Sequence, residues 1–206
     1  AGWDFPVAIR TDGTLWAWGE NDSNQLGDGT FTDRLVPTQI GTATNWASID
    51  AGMDHVVAIR TDGTLWAWGT NPTGQLGDCT RDVLPVPTKI GTATNWASVD
   101  AGRQHTLATR TDGTLWEWGG TAPRSPTQVG SGTTWKTVSA GNGTSFATRT
   151  DGTLWAWGSN HTGQLGDGTT TDRAAPTQIG GATWRDVAAG DEHTAAIASD
   201  GSLWTW

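Results

Sequence analysis

The sequence predicts an all-β fold, namely a β-propeller or propeller arc built from about five repeats that each supply about four short strands. The stretch Arg-Thr-Asp-Gly-Thr-Leu-Trp-Ala-Trp-Gly occupies residues 10–19, 60–69 and 149–158, with one change at 110–119 and a looser copy at 199–206. Ala-Gly pairs recur at residues 1, 51, 101, 140 and 189. The composition, with 29 Gly and 15 Trp in 206 residues, is typical of turn-rich β structure, because Gly fits tight turns and Trp favours strands.

This spacing divides the chain into repeat units of one domain. The units are residues 1–50, 51–100, 101–139 and 140–188, followed by a partial unit, 189–206. The third unit is 11 residues shorter, because Gly119 reaches the following Pro-Thr-Gln through a short link where the other units have a long loop. Since its strand signals survive, we predict that the loop is dispensable for forming a blade.

The second unit shows the elements in order. A strand beginning at Trp46 leads into Ala51-Gly52, and a second strand covers His55–Arg60. Asp62-Gly63 then predicts a β-hairpin of type I′, which needs positive φ at both central residues.

The strand after the hairpin, Thr64–Trp68, carries apolar side chains on both faces. Its period of two places Trp66 and Trp68 on one face and Leu65 and Ala67 on the other. Burial on both sides is the environment inside a propeller blade, which lies between two neighbouring blades.

A Gly-rich loop, from Asn71 to about Arg81, and an outer strand ending at Ile90 complete the unit. Counted in this way, the first blade lacks its Trp-Ala-Ser-Ile-Asp strand and the last ends at Trp206 without an outer strand. We therefore expect a five-unit arc, a five-bladed ring with imperfect closure, or a fragment of a longer propeller. Open blade edges tend to pair with another chain and predict self-association.

Three motifs in fixed order carry a family resemblance: Ala-Gly-x-x-His-x-x-Ala, Asp-Gly-x-Leu-Trp-x-Trp-Gly and Asn-x-x-Gly-Gln-Leu-Gly-Asp-Gly-Thr. Together they resemble the repeats of the regulator of chromosome condensation (RCC1) family, and most of all its bacterial, often secreted, members. The resemblance implies a propeller of four-stranded blades, commonly seven, and a secreted or cell-surface location.

Members of that family exchange nucleotides on a small GTPase, sense ultraviolet-B light in plants, inhibit β-lactamases or act as scaffolds, and the fold does not choose among these functions. No inserted wedge of the exchange-factor kind interrupts the 50-residue spacing here. The plant photoreceptor carries Trp after Ala-Gly on consecutive blades, whereas only the first unit has it here.

Composition and motifs exclude several functions. The net charge of −9 disfavours nucleic-acid binding, which usually needs a basic face, and no apolar run is long enough to cross a bilayer. Cys79, the single cysteine, stands where two sister repeats carry Gly29 and Gly168. No catalytic constellation recurs and the Gly-rich loops lack a phosphate-binding Lys. We therefore interpret the protein as a non-enzyme without a cofactor.

Two repeated sets of side chains could bind a metal. His55, His105 and His193 occupy equivalent positions, but two other units break the set, and a structural histidine that bonds its own blade's backbone is the preferred interpretation. The loop aspartates could bind Ca²⁺, but they match no standard calcium loop and fit turn capping better; they are Asp28, Asp78 and Asp167, each followed by a second Asp at 33, 82 or 172. We predict no metal site.

Fourteen of the fifteen Trp recur with the repeats, and we assign them to the core. The position after each Ala-Gly varies instead, and it supplies the candidate partner-binding residues Trp3, Met53, Arg103, Asn142 and Asp191. The favoured hypothesis is a non-catalytic scaffold that binds a protein partner through variable loops on one face. The alternatives are a self-assembling structural module of the cell surface and a carbohydrate-binding propeller.

Overall fold

The computed structural model describes residues 2–206, which contain eighteen β-strands and no helix. The strands form five antiparallel sheets in chain order. The first sheet contains β1 (Val7–Ile9), β2 (Leu15–Gly19) and β3 (Arg34–Gln39). The second contains β4 (Trp46–Ala51), β5 (His55–Arg60), β6 (Leu65–Gly69) and β7 (Leu84–Ile90).

The remaining three sheets repeat this arrangement. The third contains β8 (Trp96–Ala101), β9 (His105–Arg110), β10 (Leu115–Gly119) and the two-residue β11 (Thr127–Gln128). The fourth contains β12 (Trp135–Ala140), β13 (Thr144–Arg149), β14 (Leu154–Gly158) and β15 (Arg173–Gln178). The fifth contains β16 (Trp184–Ala189), β17 (Thr194–Ala198) and β18 (Leu203–Thr205).

The predicted all-β propeller architecture is confirmed, and so are the incomplete blades at its ends. The first sheet has no inner strand and the fifth has no outer strand within residues 2–206. From the second sheet onward, each sheet begins with the final strand of the preceding sequence unit: β4, for example, belongs to the first unit but pairs with β5 of the second. The third sheet keeps four strands although its unit lacks the long loop.

The Asp-Gly hairpin is confirmed, but the predicted turn type is wrong. Of its two central residues only Gly63 has positive φ, at 73°. The Gly63 N–H donates to the Arg60 carbonyl at 2.8 Å, and the Asp62 carboxylate accepts from the N–H and the hydroxyl of Thr64. A three-residue loop with a left-handed Gly at its end therefore replaces the two-residue type I′ turn.

The β6 strand is buried on both faces, as its pattern predicts. Trp66 and Trp68 pack against side chains of the first sheet, whereas Leu65 and Ala67 pack in the core shared with the third sheet. Four such cores join the five successive sheets.

The fifth sheet has one open face. Leu203 is 71% exposed, whereas Leu65 at the same repeat position is fully buried by the next sheet. Ile197 lies opposite Leu203 on β17 and is also exposed. Residues 2–206 thus form an open arc, and within them no helix is long and apolar enough to span a membrane.

Candidate functional site

The variable residues follow the inner strands, where short turns lead into the second strand of each sheet. In the second sheet this turn is closed by the Gly52 N–H, which donates to the His55 carbonyl at 2.9 Å. Four of the five predicted residues, Trp3, Met53, Arg103 and Asp191, line one depression with a volume of ≈ 220 Å³. We call the surface formed by these four residues the axial face.

Asn142, the fifth predicted residue, does not line this depression. It lines a larger cleft, with a volume of ≈ 740 Å³, between the third and fourth sheets. The sequence pattern therefore groups five equivalent positions that the fold distributes over two sites.

Trp3 and Arg103 meet across the axial face. The guanidinium carbon of Arg103 lies 5.2 Å from the centroid of the Trp3 ring, within the range of a cation–π contact. Trp3 remains 55% exposed, and the Arg103 backbone N–H donates to the Gly141 carbonyl at 3.1 Å. An exposed indole is thus held by a side chain from two sheets away.

Acidic groups surround this pair. Burial raises the pKa of Asp54, and Asp4 raises it further, whereas the charge of Arg103 lowers it. The pKa of Glu20 is also raised, by partial desolvation and by the carboxylates of Asp4 and Asp22. Apart from Arg103, the charged groups that act on one another here are negative.

The long loops of the first, second and fourth units connect neighbouring sheets. In the second unit Leu76 is fully buried, and the Gln75 carbonyl accepts a hydrogen bond from the Trp118 indole N–H at 2.8 Å and from the Thr106 hydroxyl at 2.9 Å. The fourth unit repeats the arrangement, with the Gln164 carbonyl accepting from Trp206 and Thr194. Each of these loops is therefore part of the core and not a free surface loop.

The loop aspartates accept hydrogen bonds within their own turns, as the turn-capping interpretation of the sequence predicts. Asp28 Oδ1 accepts from the Thr30 N–H at 2.9 Å and from Asn21 Nδ2 at 3.1 Å, while its other oxygen accepts from Arg34. Asp167 is bonded in the same way to Thr169, Asn160 and Arg173. Residues 2–206 contain no group of three or more His, Cys, Asp or Glu side chains arranged to hold a metal ion.

In the third unit, which lacks the long loop, one side chain accepts the hydrogen bonds that a loop carbonyl accepts in the other units. Glu117 stands where the other copies of the ten-residue stretch have Ala17, Ala67 and Ala156. Its Oε2 accepts from the Trp157 indole N–H at 3.0 Å and its Oε1 accepts from the Ser145 hydroxyl at 3.0 Å. Burial raises the pKa of Glu117, although these two hydrogen bonds lower it.

The rings of His55 and His105 hydrogen-bond to side chains of the next sheet and not to the backbone of their own blade, so that detail of the prediction is wrong for these two histidines. His55 Nε2 lies 3.4 Å from the Thr106 hydroxyl, and His105 Nε2 lies 3.1 Å from the Ser145 hydroxyl. Burial lowers the pKa of His55 to about 3 and that of His105 to about 4, so both rings are neutral near pH 7. His193 immediately precedes β17 and is exposed.

Family comparison agrees with this geometry. A family model described as the regulator of chromosome condensation (RCC1) repeat matches residues 12–59, 62–109 and 151–197, and a second model of the same description matches 46–75 and 135–164. The chain belongs to the RCC1 repeat family. The matched ranges include at least one strand of every sheet, and no curated protein sequence matches the chain.

Solved RCC1-like propellers share the fold. Human WBSCR16 is 22% identical, with a TM-score of 0.89 over 97% of this chain and 56% of that one. Yeast RCC1 (Prp20) bound to Kap60 is 21% identical, with a TM-score of 0.86 over 98% of this chain and 54% of that one. A structure of Prp20p from Saccharomyces cerevisiae, described with its binding properties to Gsp1p and histones, is 21% identical in sequence. Its TM-score is 0.87 over 98% of this chain and 56% of that one. The chain spans about half the length of these structures.

Proposed function

We propose that this RCC1-repeat arc is a non-catalytic scaffold that binds a protein partner through its axial face. The observation that carries the proposal is the convergence of Trp3, Met53, Arg103 and Asp191, which differ at one repeat position, on a single depression. Positions that only maintain the repeat stay constant between units. A cluster of differing side chains at one surface instead suits recognition of one specific partner.

The chemistry of the axial face suits a protein ligand. Trp and Arg are the side chains that most often dominate binding at protein interfaces, and Trp3 is exposed while already oriented by Arg103. The acidic groups around them, including Asp4 and Asp54, favour a partner with a basic contact surface. Yeast Prp20, a structural neighbour, was crystallised with a protein, Kap60.

Affinity capture from an extract of the source cells tests the proposal. The variant Trp3→Ala, Met53→Ala, Arg103→Ala, Asp191→Ala should lose its bound protein while its melting temperature is maintained. A control variant with three substitutions on exposed outer-strand side chains, at Gln39, Lys89 and Gln178, should retain it. Equal capture by both variants overturns the proposal, and rising salt should weaken capture by the unmodified protein.

Self-assembly is a second candidate function, favoured by the open face of the fifth sheet. Within the arc, the Leu-Ala face of each sheet packs against the Trp face of the next. The exposed Leu203 and Ile197 are the unmatched half of such an interface, and Trp16 and Trp18 on the first sheet are only partly buried. Association of copies head to tail would repeat the internal packing.

Sedimentation velocity over a concentration series tests this candidate. Association should increase with concentration and should be lost in Leu203→Asp. Leu35→Asp is the matched control, because Leu35 is equally apolar and is exposed on β3. A monomer at all concentrations, or equal association of the two variants, counts against assembly.

A further inference from the structure

The cleft between the third and fourth sheets exists because one loop is missing. Elsewhere the loop that follows the third strand of a sheet fills this space, and its leucine, such as Leu76 or Leu165, is fully buried. The third unit instead runs from Gly119 to Thr127 through a short link. The cleft of ≈ 740 Å³ that remains is within the size range of ligand-binding pockets.

Glu117 replaces the hydrogen bonds of the missing loop but not its volume. In the neighbouring unit one backbone carbonyl, that of Gln75, accepts from an indole and from a hydroxyl. The equivalent donors of the fourth sheet, Trp157 and Ser145, both donate to the Glu117 carboxylate. The site therefore satisfies its donors while placing an ionisable carboxylate on the cleft wall, at a position where the other full copies of the stretch have alanine.

The charges of the cleft favour a cation. Glu117 is countered there only by hydrogen-bond donors, and Asp172 adds a second carboxylate at the rim. Arg173 also lines the cleft, but its guanidinium is bound to Asp167, with Nε 2.6 Å from Oδ2. His105 beside Ser145 is neutral near pH 7, since burial lowers its pKa to about 4.

Apolar surface adjoins these charges. Trp157, Val129 and Pro123 line the same cleft. A ligand that matches the cleft thus carries a positive charge beside an apolar group. An extended peptide meets this requirement, because it can occupy the space that the long loop fills in the other units.

We propose that this cleft binds a basic peptide segment of a partner protein, which docks in place of the missing loop. A lysine or arginine of the segment contacts Glu117, and an adjacent apolar side chain fills the volume that Leu76 and Leu165 fill at the equivalent interfaces. The cleft is separate from the axial face, since the two share no lining residue.

Titration of a blocked tetrapeptide, acetyl-Gly-Lys-Leu-Gly-amide, tests the proposal by NMR. The readout is the indole N–H signal of Trp157, which is assigned by its loss in Trp157→Phe. We expect a saturable shift at about millimolar peptide, as befits a short segment. The acidic peptide acetyl-Gly-Glu-Leu-Gly-amide and n-butylamine should produce no comparable shift. An equal response to either one, or no response to the basic peptide, overturns the proposal.

Two variants locate the binding. Glu117→Gln removes the charge at nearly constant shape and should weaken binding about tenfold or more. In the second variant, a copy of residues 159–175 replaces residues 120–125 and Glu117 becomes Ala, so that the restored loop fills the cleft and abolishes binding. Unchanged affinity in either folded variant overturns the proposal. The fourfold axial-face variant should bind the peptide normally, which separates this site from the proposed function.

Discussion

Asp50 and Asp100 lie on neighbouring inner strands, β4 and β8, and each carboxyl group influences the pKa of the other. Asp50 Oδ2 accepts from the Ala101 N–H at 2.7 Å, and Asp100 Oδ2 accepts from the Ala140 N–H at 2.6 Å. Burial raises the pKa of both groups, and together with the charge of Asp50 it raises the pKa of Asp100 to about 7. At the next interface Ser139 takes the same role, accepting from the Ala189 N–H.

This pair predicts that stability decreases from about pH 4 to about pH 7. The folded state binds the proton more tightly than the unfolded chain, so the stabilisation is complete below the ordinary pKa of 3.8 and is lost as the pH rises through about 7. The loss should be ~4 kcal/mol, since each unit of pKa difference corresponds to about 1.4 kcal/mol. Asp100→Ser, which copies the Ser139 interface, should flatten this part of the profile. Urea unfolding measured at several pH values checks it, and an unchanged slope in Asp100→Ser contradicts it.

The arginine of the repeated stretch packs between two indoles. The Arg60 guanidinium carbon lies 3.6 Å from the Trp66 ring centroid and 4.4 Å from that of Trp46. We expect Arg60→Ala to lower the free energy of unfolding by about 1–2 kcal/mol, because it removes the cation–π contacts and exposes both rings. Thermal or chemical denaturation measures this loss.

The last sheet provides the reverse test. Ala198 pairs with Trp184 as Arg60 pairs with Trp46, and without the arginine Trp204 is 56% exposed. Ala198→Arg should therefore stabilise the protein by about 0.5–1 kcal/mol and shift the Trp fluorescence to shorter wavelength. A destabilised Ala198→Arg variant would show that the arginine does not act through its indole contacts.

The fold could be predicted from the local sequence pattern, because the alternation of side chains along β6 and its copies determines which neighbouring sheet each side chain contacts. Leu65 and Trp66 differ by one position, and one position is enough to direct them to opposite neighbouring sheets. The turn type depends on φ angles that the Asp-Gly dipeptide alone does not determine. The Asp62 carboxylate accepts a hydrogen bond from the Thr64 N–H and Asp62 keeps a negative φ, so a three-residue loop forms instead of a type I′ turn.

The candidate sites were less accessible from the sequence. The repeat spacing makes Trp3 and Arg103 equivalent positions, but their direct contact depends on how far the sheets curve around the arc, which the spacing does not give. Glu117 did have a signal: it is the only altered letter among the four full copies of the ten-residue stretch, and it occurs in the unit that lacks the loop. Linking these two departures requires the distance between Glu117 and Trp157, which only the packed sheets supply.

Restoring the repeat consensus at Glu117 should therefore destabilise the protein. Glu117→Ala leaves the Trp157 indole N–H without its acceptor and leaves the Ser145 hydroxyl with His105 Nε2 as its remaining side-chain partner, and we expect a loss of about 1–2 kcal/mol. A double-mutant cycle with Trp157→Phe should give a positive coupling energy between the two positions. No coupling, or a gain in stability for Glu117→Ala, contradicts this account.

Restoring the consensus at Cys79 should have the opposite effect. Cys79 has a φ of 71°, and the sister residues Gly29 and Gly168 have φ of 78° and 77°. A side chain with Cβ is strained in this left-handed conformation, whereas glycine adopts it readily. Glycine also gains freedom in the unfolded chain, which offsets part of the gain from relieving this strain. We therefore expect a net stabilisation of about 0.5–1 kcal/mol for Cys79→Gly.

Two variants separate backbone strain from the chemistry of the exposed thiol. Cys79→Ala removes the sulfur but keeps Cβ, and it should leave the free energy of unfolding nearly unchanged. Gly168→Cys adds a side chain where no atom lies within 4 Å, so any destabilisation there comes from the backbone alone. Denaturant unfolding under reducing conditions should rank Cys79→Gly above the unmodified protein and Gly168→Cys below it. If Cys79→Ala gains as much as Cys79→Gly, the thiol and not the left-handed backbone is responsible.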